Sequence, residues 1–185
     1  MRLFAGIDLP TEARENLAAL LGGLRPCARL NWSPAANLHI TTKFIGEWPE
    51  QRLDALVAAL QSLPPRQPIG IALQGLGWFP NARAPKIFWV GVKADGGLSE
   101  LARHTDETVA RLGVPPEKRP FSPHLTLARI REQVPLARLQ EAVAALLASE
   151  DFGEFTASRF HLFLSQPAAS GSVYSKLAEF PLVRS

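Results

Sequence analysis

His39-Ile40-Thr41 and His124-Leu125-Thr126 place the same two polar side chains, an imidazole and a hydroxyl two positions on, in otherwise apolar stretches whose histidines stand 85 residues apart. In an extended chain successive side chains point to opposite faces. His39 and Thr41 therefore share one face while Ile40 and Thr42 share the other, and His124 and Thr126 oppose Leu125 and Leu127. An unperturbed imidazole pKa of about 6.5 lets one histidine be neutral and the other protonated near neutral pH, and a placed acid or base is worth about 10²–10⁴ in rate. A threonine hydroxyl beside each can donate to an anionic oxygen and hold it in line. One His-x-Thr by itself is more often a satisfied strand pair than a site, since threonine suits strands. Its recurrence in an equivalent setting is what favours acid–base chemistry, with a bell-shaped pH profile bracketing neutrality.

Two equivalent strands need equivalent scaffolds, and the order of elements repeats. "RLFAGIDLP" reads as a strand, and "TEARENLAALLGGL" as a helix with Thr11 as N-cap and Gly22-Gly23 as its stop. The first His-Thr strand follows, then the helix "PEQRLDALVAALQSL", then "IGIALQGLGWF" and, after the turn-rich "PNARAP", the strand "KIFWVGVK". From there the path is retraced: the helix "GGLSELARHTDETVARLG", the second His-Thr strand, the helix "PLARLQEAVAALLAS", and closing strands "EFTASRFHLFLSQ" and "GSVYSKLAEFPL" around "PAASG". "LDALVAAL" from Leu53 and "LQEAVAAL" from Leu139 stand 86 residues apart, and Phe4 and Phe88 precede their histidines by 35 and 36 residues. This pattern predicts an internal duplication in a single domain, with lobes of about 1–83 and about 84–185. The fold class is α+β: two mostly antiparallel sheets with helices on their outer faces and a central groove into which both histidines converge.

Composition is compatible with this. The chain has 185 residues, 46% hydrophobic and 20% charged, enough for one substantial core. A net charge of +3 permits an anionic substrate without demanding nucleic acid, provided the slight excess of cations is concentrated somewhere. Cys27 is the only cysteine, which excludes an intramolecular disulfide and a Cys-rich metal site and points to a reducing setting. "LFAGI" is too short for a signal h-region and no span or anchor is visible, so a cytoplasmic location and no membrane partner are expected. Neither His-x-Thr motif carries an Asp or Glu, which argues against a metal site and favours catalysis without cofactor. No Gly-rich phosphate loop or nucleotide-transfer lysine motif is present, which argues against an ATP-dependent ligase.

The opening "MRLFAGIDLP", the flanked first motif "NLHITTKFIGE" and "RPFSPHLTLARIR" around the second together resemble the 2H phosphoesterases, defined by two His-x-Thr-x motifs in a bilobed, duplicated fold. Within that family the chain looks most like the RNA 2′,3′-cyclic phosphodiesterases once called 2′-5′ RNA ligases, and "FHLFLSQPAASGSVYSKLAEFPL" looks like their C-terminal hairpin. The resemblance implies a metal-independent hydrolase that opens RNA 2′,3′-cyclic phosphate ends, tRNA fragments among them, to 2′-phosphates. It implies His39 as general acid and His124 as general base, with Thr41 and Thr126 on the nonbridging phosphate oxygens. Alternatives in the same site are ATP-independent 2′-5′ RNA ligation, with an alcohol attacking in place of water, and turnover of small cyclic nucleotides. A monomer is expected.

Other neighbours are read from parity. Arg129 matches a position at which the family carries a functional arginine, but strict alternation places it on the far face with Leu125 and Leu127, so it counts only if the strand bends. Lys43 falls on the His39 face and is a phosphate-binding candidate. Phe44 and Phe121 are assigned to core packing over base stacking, and His104 and His161 are left out of the site.

Overall fold

The computed structural model describes residues 1–146, 151–168 and 171–183. In chain order the elements are β1 (Arg2–Asp8), α1 (Thr11–Leu24), β2 (Asn31–Trp32), β3 (His39–Glu47), α2 (Leu53–Gln61), β4 (Ile69–Phe79), β5 (Ile87–Ala94), α3 (Gly96–Ala110), β6 (His124–Arg129), α4 (Ala137–Leu146), β7 (Asp151–Ala157), β8 (Arg159–Ala168) and β9 (Gly171–Pro181). The apolar run "LFAGI" is buried from Leu3 to Ile7, as an inner strand covered on both faces must be. On α1 the buried residues Ala13, Leu17, Leu21 and Leu24 form a stripe at helical spacing. Thr11 is the first helical residue and not the cap, because Pro10 takes the extended cap position and offers no side-chain acceptor. At α3 the carboxylate of Asp95 does cap, accepting from Gly97 N at 2.8 Å. The expected extension of α4 over 147–149 and the turn residues 169–170 lie outside the described residues.

Two antiparallel sheets result, β3-β1-β8-β9 and β2-β6-β5-β4-β7. Helices α2 and α3 pack together and reach β9 and β3, while α1 packs on β7 and α4. The α+β class and the duplication hold: β3, β1 and β8 of one sheet correspond in order to β6, β5 and β4 of the other. A division near residue 83 is nevertheless not a division into sheets. The short connection between β4 and β5, turned by Asn81 Oδ1 accepting from Arg83 N and Ala84 N, makes these consecutive strands a hairpin across that boundary. Each half thereby lends its closing strands to the other, β4 to β5 and β8 with β9 to β1. The single closing strand expected from Glu154 is in fact two, β7 and β8, in different sheets, separated at Ser158.

The two motif strands share one irregularity. Along β3, Gly6 is opposite Thr41 and Ala5 opposite Lys43, so Thr42 is an extra residue. Along β6, Trp89 is opposite Thr126 and Phe88 opposite Ala128, so Leu127 is the extra one, at the equivalent position. A bulge of this kind shifts the alternation by one place beyond it. Close backbone approach accompanies the first: a Cβ on Gly6 would lie 2.6 Å from Ile40 O. No helix among the described residues is long and apolar enough to cross a membrane.

Candidate active site

The groove has a volume of about 730 Å³, and both motifs line it: His39 and Thr41 on one bank, His124, Thr126 and Arg129 on the other. β2, not foreseen from the sequence, holds the banks together. It pairs with β6, and just after it Ser33 Oγ donates to Thr126 O and Ser33 N to Leu127 O, both at 2.8 Å, before the chain enters β3.

Each imidazole is fixed in the same way. His39 Nδ1 lies 2.7 Å from Asn37 O and His124 Nδ1 lies 2.8 Å from Ser122 O, a backbone carbonyl two residues upstream in each case. A carbonyl can only accept, so each Nδ1 carries its proton and each Nε2 is left for chemistry. Aromatic rings hold the planes. Phe4 stacks on His39 at 4.4 Å between centroids and Tyr174 meets it edge-on at 5.1 Å, while Phe79 meets His124 edge-on at 5.0 Å. Thr41 Oγ1 is 2.9 Å from His39 Nε2, where the hydroxyl donates to the neutral ring.

The electrostatics favour neutral rings in the free groove. Burial pushes His39 down to about 4, and Arg129 and His124 add to the fall, against the opposing pull of the Asn37 carbonyl and Asp8. Burial also lowers His124, as does Arg129, with the Ser122 carbonyl opposing. Asp8, opposite His39 in the sheet, is raised by burial but held below the ordinary carboxylate range by hydrogen bonds and charge from Lys176 and Arg14, at 2.5 Å and 2.6 Å.

The bulges decide which further side chains join. Beyond Leu127, Ala128 turns into the core and Arg129 turns out to the groove, so the bend on which its candidacy depended exists. Beyond Thr42 the same shift carries Lys43 inward, which corrects its parity assignment. Its side chain is 6% exposed, ion-paired to Asp106 at 2.5 Å and donating to Pro115 O at 2.9 Å, away from the groove lining. Phe44 turns outward instead: it is 49% exposed, lines the groove and lies under the Arg2 guanidinium at 5.0 Å, which corrects its core assignment. Phe121 does pack against the core. His104 sits between Arg66 and Arg103, and buried His161 faces Glu179, both outside the groove lining. Phe4, Phe79 and Tyr174 were not read as site residues. The near-match of Phe4 and Phe88 relative to the histidines was no guide, because Phe88 pairs with Ala128 and is core while Ile87, which pairs with Arg129 as Phe4 does with Phe44, is the true counterpart; Phe79 and Tyr174 depend on strand exchange and had no signal. Among the described residues no group of three or more His, Cys, Asp or Glu side chains is placed to hold a metal ion.

Comparison with known proteins agrees with the motifs. The family model described as LigT like phosphoesterase matches residues 7–89 and again residues 90–174, once per repeat. An RNA 2′,3′-cyclic phosphodiesterase of Archaeoglobus fulgidus is 33% identical over 97% of this chain and 99% of its own, and one of Methanocaldococcus jannaschii is 32% identical over 97% and 100%. Among solved structures, a Thermus thermophilus protein superposes with a TM-score of 0.79 at 30% identity, covering 98% of both chains. Escherichia coli LigT complexed with 3′-AMP gives 0.76 at 27% identity, over 99% of this chain and 98% of that one. The chain belongs to the LigT-like phosphoesterase family, the 2H phosphoesterases of its two His-x-Thr motifs.

Proposed function

We propose that this chain hydrolyses RNA 2′,3′-cyclic phosphate ends to 2′-phosphomonoesters by acid–base catalysis between His39 and His124, acting as one unit because the groove needs a strand from each half. The observation that carries the reading is the pair of imidazoles, each with Nδ1 locked on a carbonyl, facing one groove. Its relatives of 32–33% identity that span the chain are RNA 2′,3′-cyclic phosphodiesterases, which supports the substrate. In the reaction a water oxygen forms a bond to phosphorus, its proton passes to one Nε2, the P–O3′ bond breaks, and the other Nε2–H protonates the departing 3′-oxygen. Thr41 and Thr126 donate to the nonbridging oxygens, Thr41 by turning from His39 Nε2, and Arg129 offers its fork to the same charge. Bound phosphate, being anionic, raises both imidazoles, so that one of them takes up from solvent the proton that the free groove lacks.

The family resemblance makes His39 the acid and His124 the base. The free-groove order favours the reverse, because His39 is the harder of the two to protonate, and both assignments fit the same geometry. Ligation to a 5′-hydroxyl is the same chemistry with an alcohol as nucleophile. The test of the reaction is incubation of a short RNA ending in a 2′,3′-cyclic phosphate in excess chelator, with the product isomer read by phosphorus NMR. A 2′-phosphate is expected; a 3′-phosphate, or turnover that needs added metal, would overturn the reading.

A further inference from the structure

The +3 net charge is small, but its distribution is not even. Arg2, Lys86, Arg119, Arg129 and Arg131 line the groove, and none of its lining residues is an Asp or Glu. Elsewhere cations close on carboxylates: Arg14 and Lys176 on Asp8, Lys43 on Asp106, Arg159 on Glu179. Among the described residues, Arg2, Lys86, Arg129 and Arg131 have no such partner, and Arg119 has only a loose, exposed contact of 3.6 Å with Glu117. Like charges gathered without counterions repel, and a groove of one sign focuses its field on an anionic ligand. A cyclic phosphate diester carries one negative charge, which Arg129, the cation that acts on both histidines, already faces. The surplus calls for further phosphates.

Lys86 and Arg131 are placed to meet them. His124 opens β6 and Arg129 ends it; past that end Ile130 N donates to Lys86 O at 2.9 Å, which sets Lys86 and Arg131 side by side at the far end of the bank from His124. We propose that Lys86 and Arg131 form a track for the phosphodiesters upstream of the cyclic end, making single-stranded oligonucleotides better substrates than mononucleotides. This rests on the reading of the groove as a cyclic-phosphate site, and it narrows the substrate class within it.

The experiment compares uridine 2′,3′-cyclic phosphate, the tetranucleotide UpUpUpU bearing a terminal 2′,3′-cyclic phosphate, and the same tetranucleotide with neutral methylphosphonate linkages. At low salt, kcat/KM should be about tenfold or more higher for the anionic tetranucleotide than for the mononucleotide. Its logarithm should fall more steeply with log salt, by about 0.7 for each upstream phosphate held. The methylphosphonate tetranucleotide should return to the mononucleotide level. In Arg131→Gln the ratio of tetranucleotide to mononucleotide kcat/KM should fall about threefold, and in Lys86→Gln with Arg131→Gln further. Equal turnover of both anionic substrates would overturn the track while leaving the cyclic-phosphate reading intact, and so would a gain that survives methylphosphonate substitution. Turnover of none of the three would overturn both.

Discussion

Phe44 and Arg129 occupy equivalent positions in the two halves, each five residues after its histidine and each turned into the groove by a one-residue bulge, at Thr42 and at Leu127. The histidines and threonines are matched across the groove; this pair is not. One bank presents an aromatic ring under Arg2, the other a guanidinium that lowers both imidazoles. A near-symmetric site that tells one end of its substrate from the other would draw on this pair.

Arg129→Gln should lower kcat/KM by about 10²–10³, the usual loss when one preorganised donor to transition-state charge is removed. Because the guanidinium depresses both histidines, its removal should also move the whole pH profile of the residual activity upward. A rate loss without that displacement would place Arg129 away from the imidazoles.

The wild-type profile of kcat/KM reports the free enzyme. On the two-histidine proposal, activity needs one proton shared between two rings, so the acid limb should follow the lower pKa, about 4 at His39, and the basic limb His124, below its ordinary value. The maximum should fall on the acid side of neutrality, not around it, and the kcat profile should sit at higher pH because bound phosphate raises both rings. Initial rates from about pH 3.5 to about pH 8.5 check this; a kcat/KM maximum above about pH 7 would contradict it.

A substrate with sulfur at the bridging 3′ position separates the two roles, since a thiolate leaves without a proton. If His39 is the acid, His39→Ala should lose at least about 10² on the oxygen substrate and recover most of it on the sulfur one, with no such recovery in His124→Ala. Recovery in His124→Ala alone would reverse the assignment, as the free-groove order of the two rings favours.

Buried against Asp106 and outside the groove lining, Lys43 is expected to act as a prop under the strand and not as a phosphate ligand. Lys43→Met leaves Asp106 without its cation and should cost about 3 kcal/mol or less, the low end for a broken buried pair because Asp106 is 22% exposed. Thermal denaturation should show a lowered Tm with kcat/KM largely kept at low temperature. An unchanged Tm with lost activity would return Lys43 to the site.

What the sequence made legible were features of period and repetition: the two His-x-Thr strands, the helices at 3.6-residue spacing, the duplication and the α+β class. What it hid followed from two departures from simple rules. Parity reasoning assumed unbroken alternation, and the bulges broke it. The adjacent apolar pair Leu127-Ala128 was a readable sign of the second bulge, whereas Thr42-Lys43, being polar, carried none. The other departure is strand exchange: contiguous halves were expected to form contiguous sheets, but the hairpin of β4 with β5 and the crossing at Ser158 mix them. Tyr174, which reaches His39 from β9, could be found only once that exchange was known.

The two-histidine account meets its most direct test in the turnover of a cyclic-phosphate RNA by wild type, His39→Ala and His124→Ala, with folding verified by circular dichroism. Each variant should lose at least about 10² in kcat/KM, because each removes one partner of a single acid–base pair. Either variant keeping wild-type activity would contradict the account.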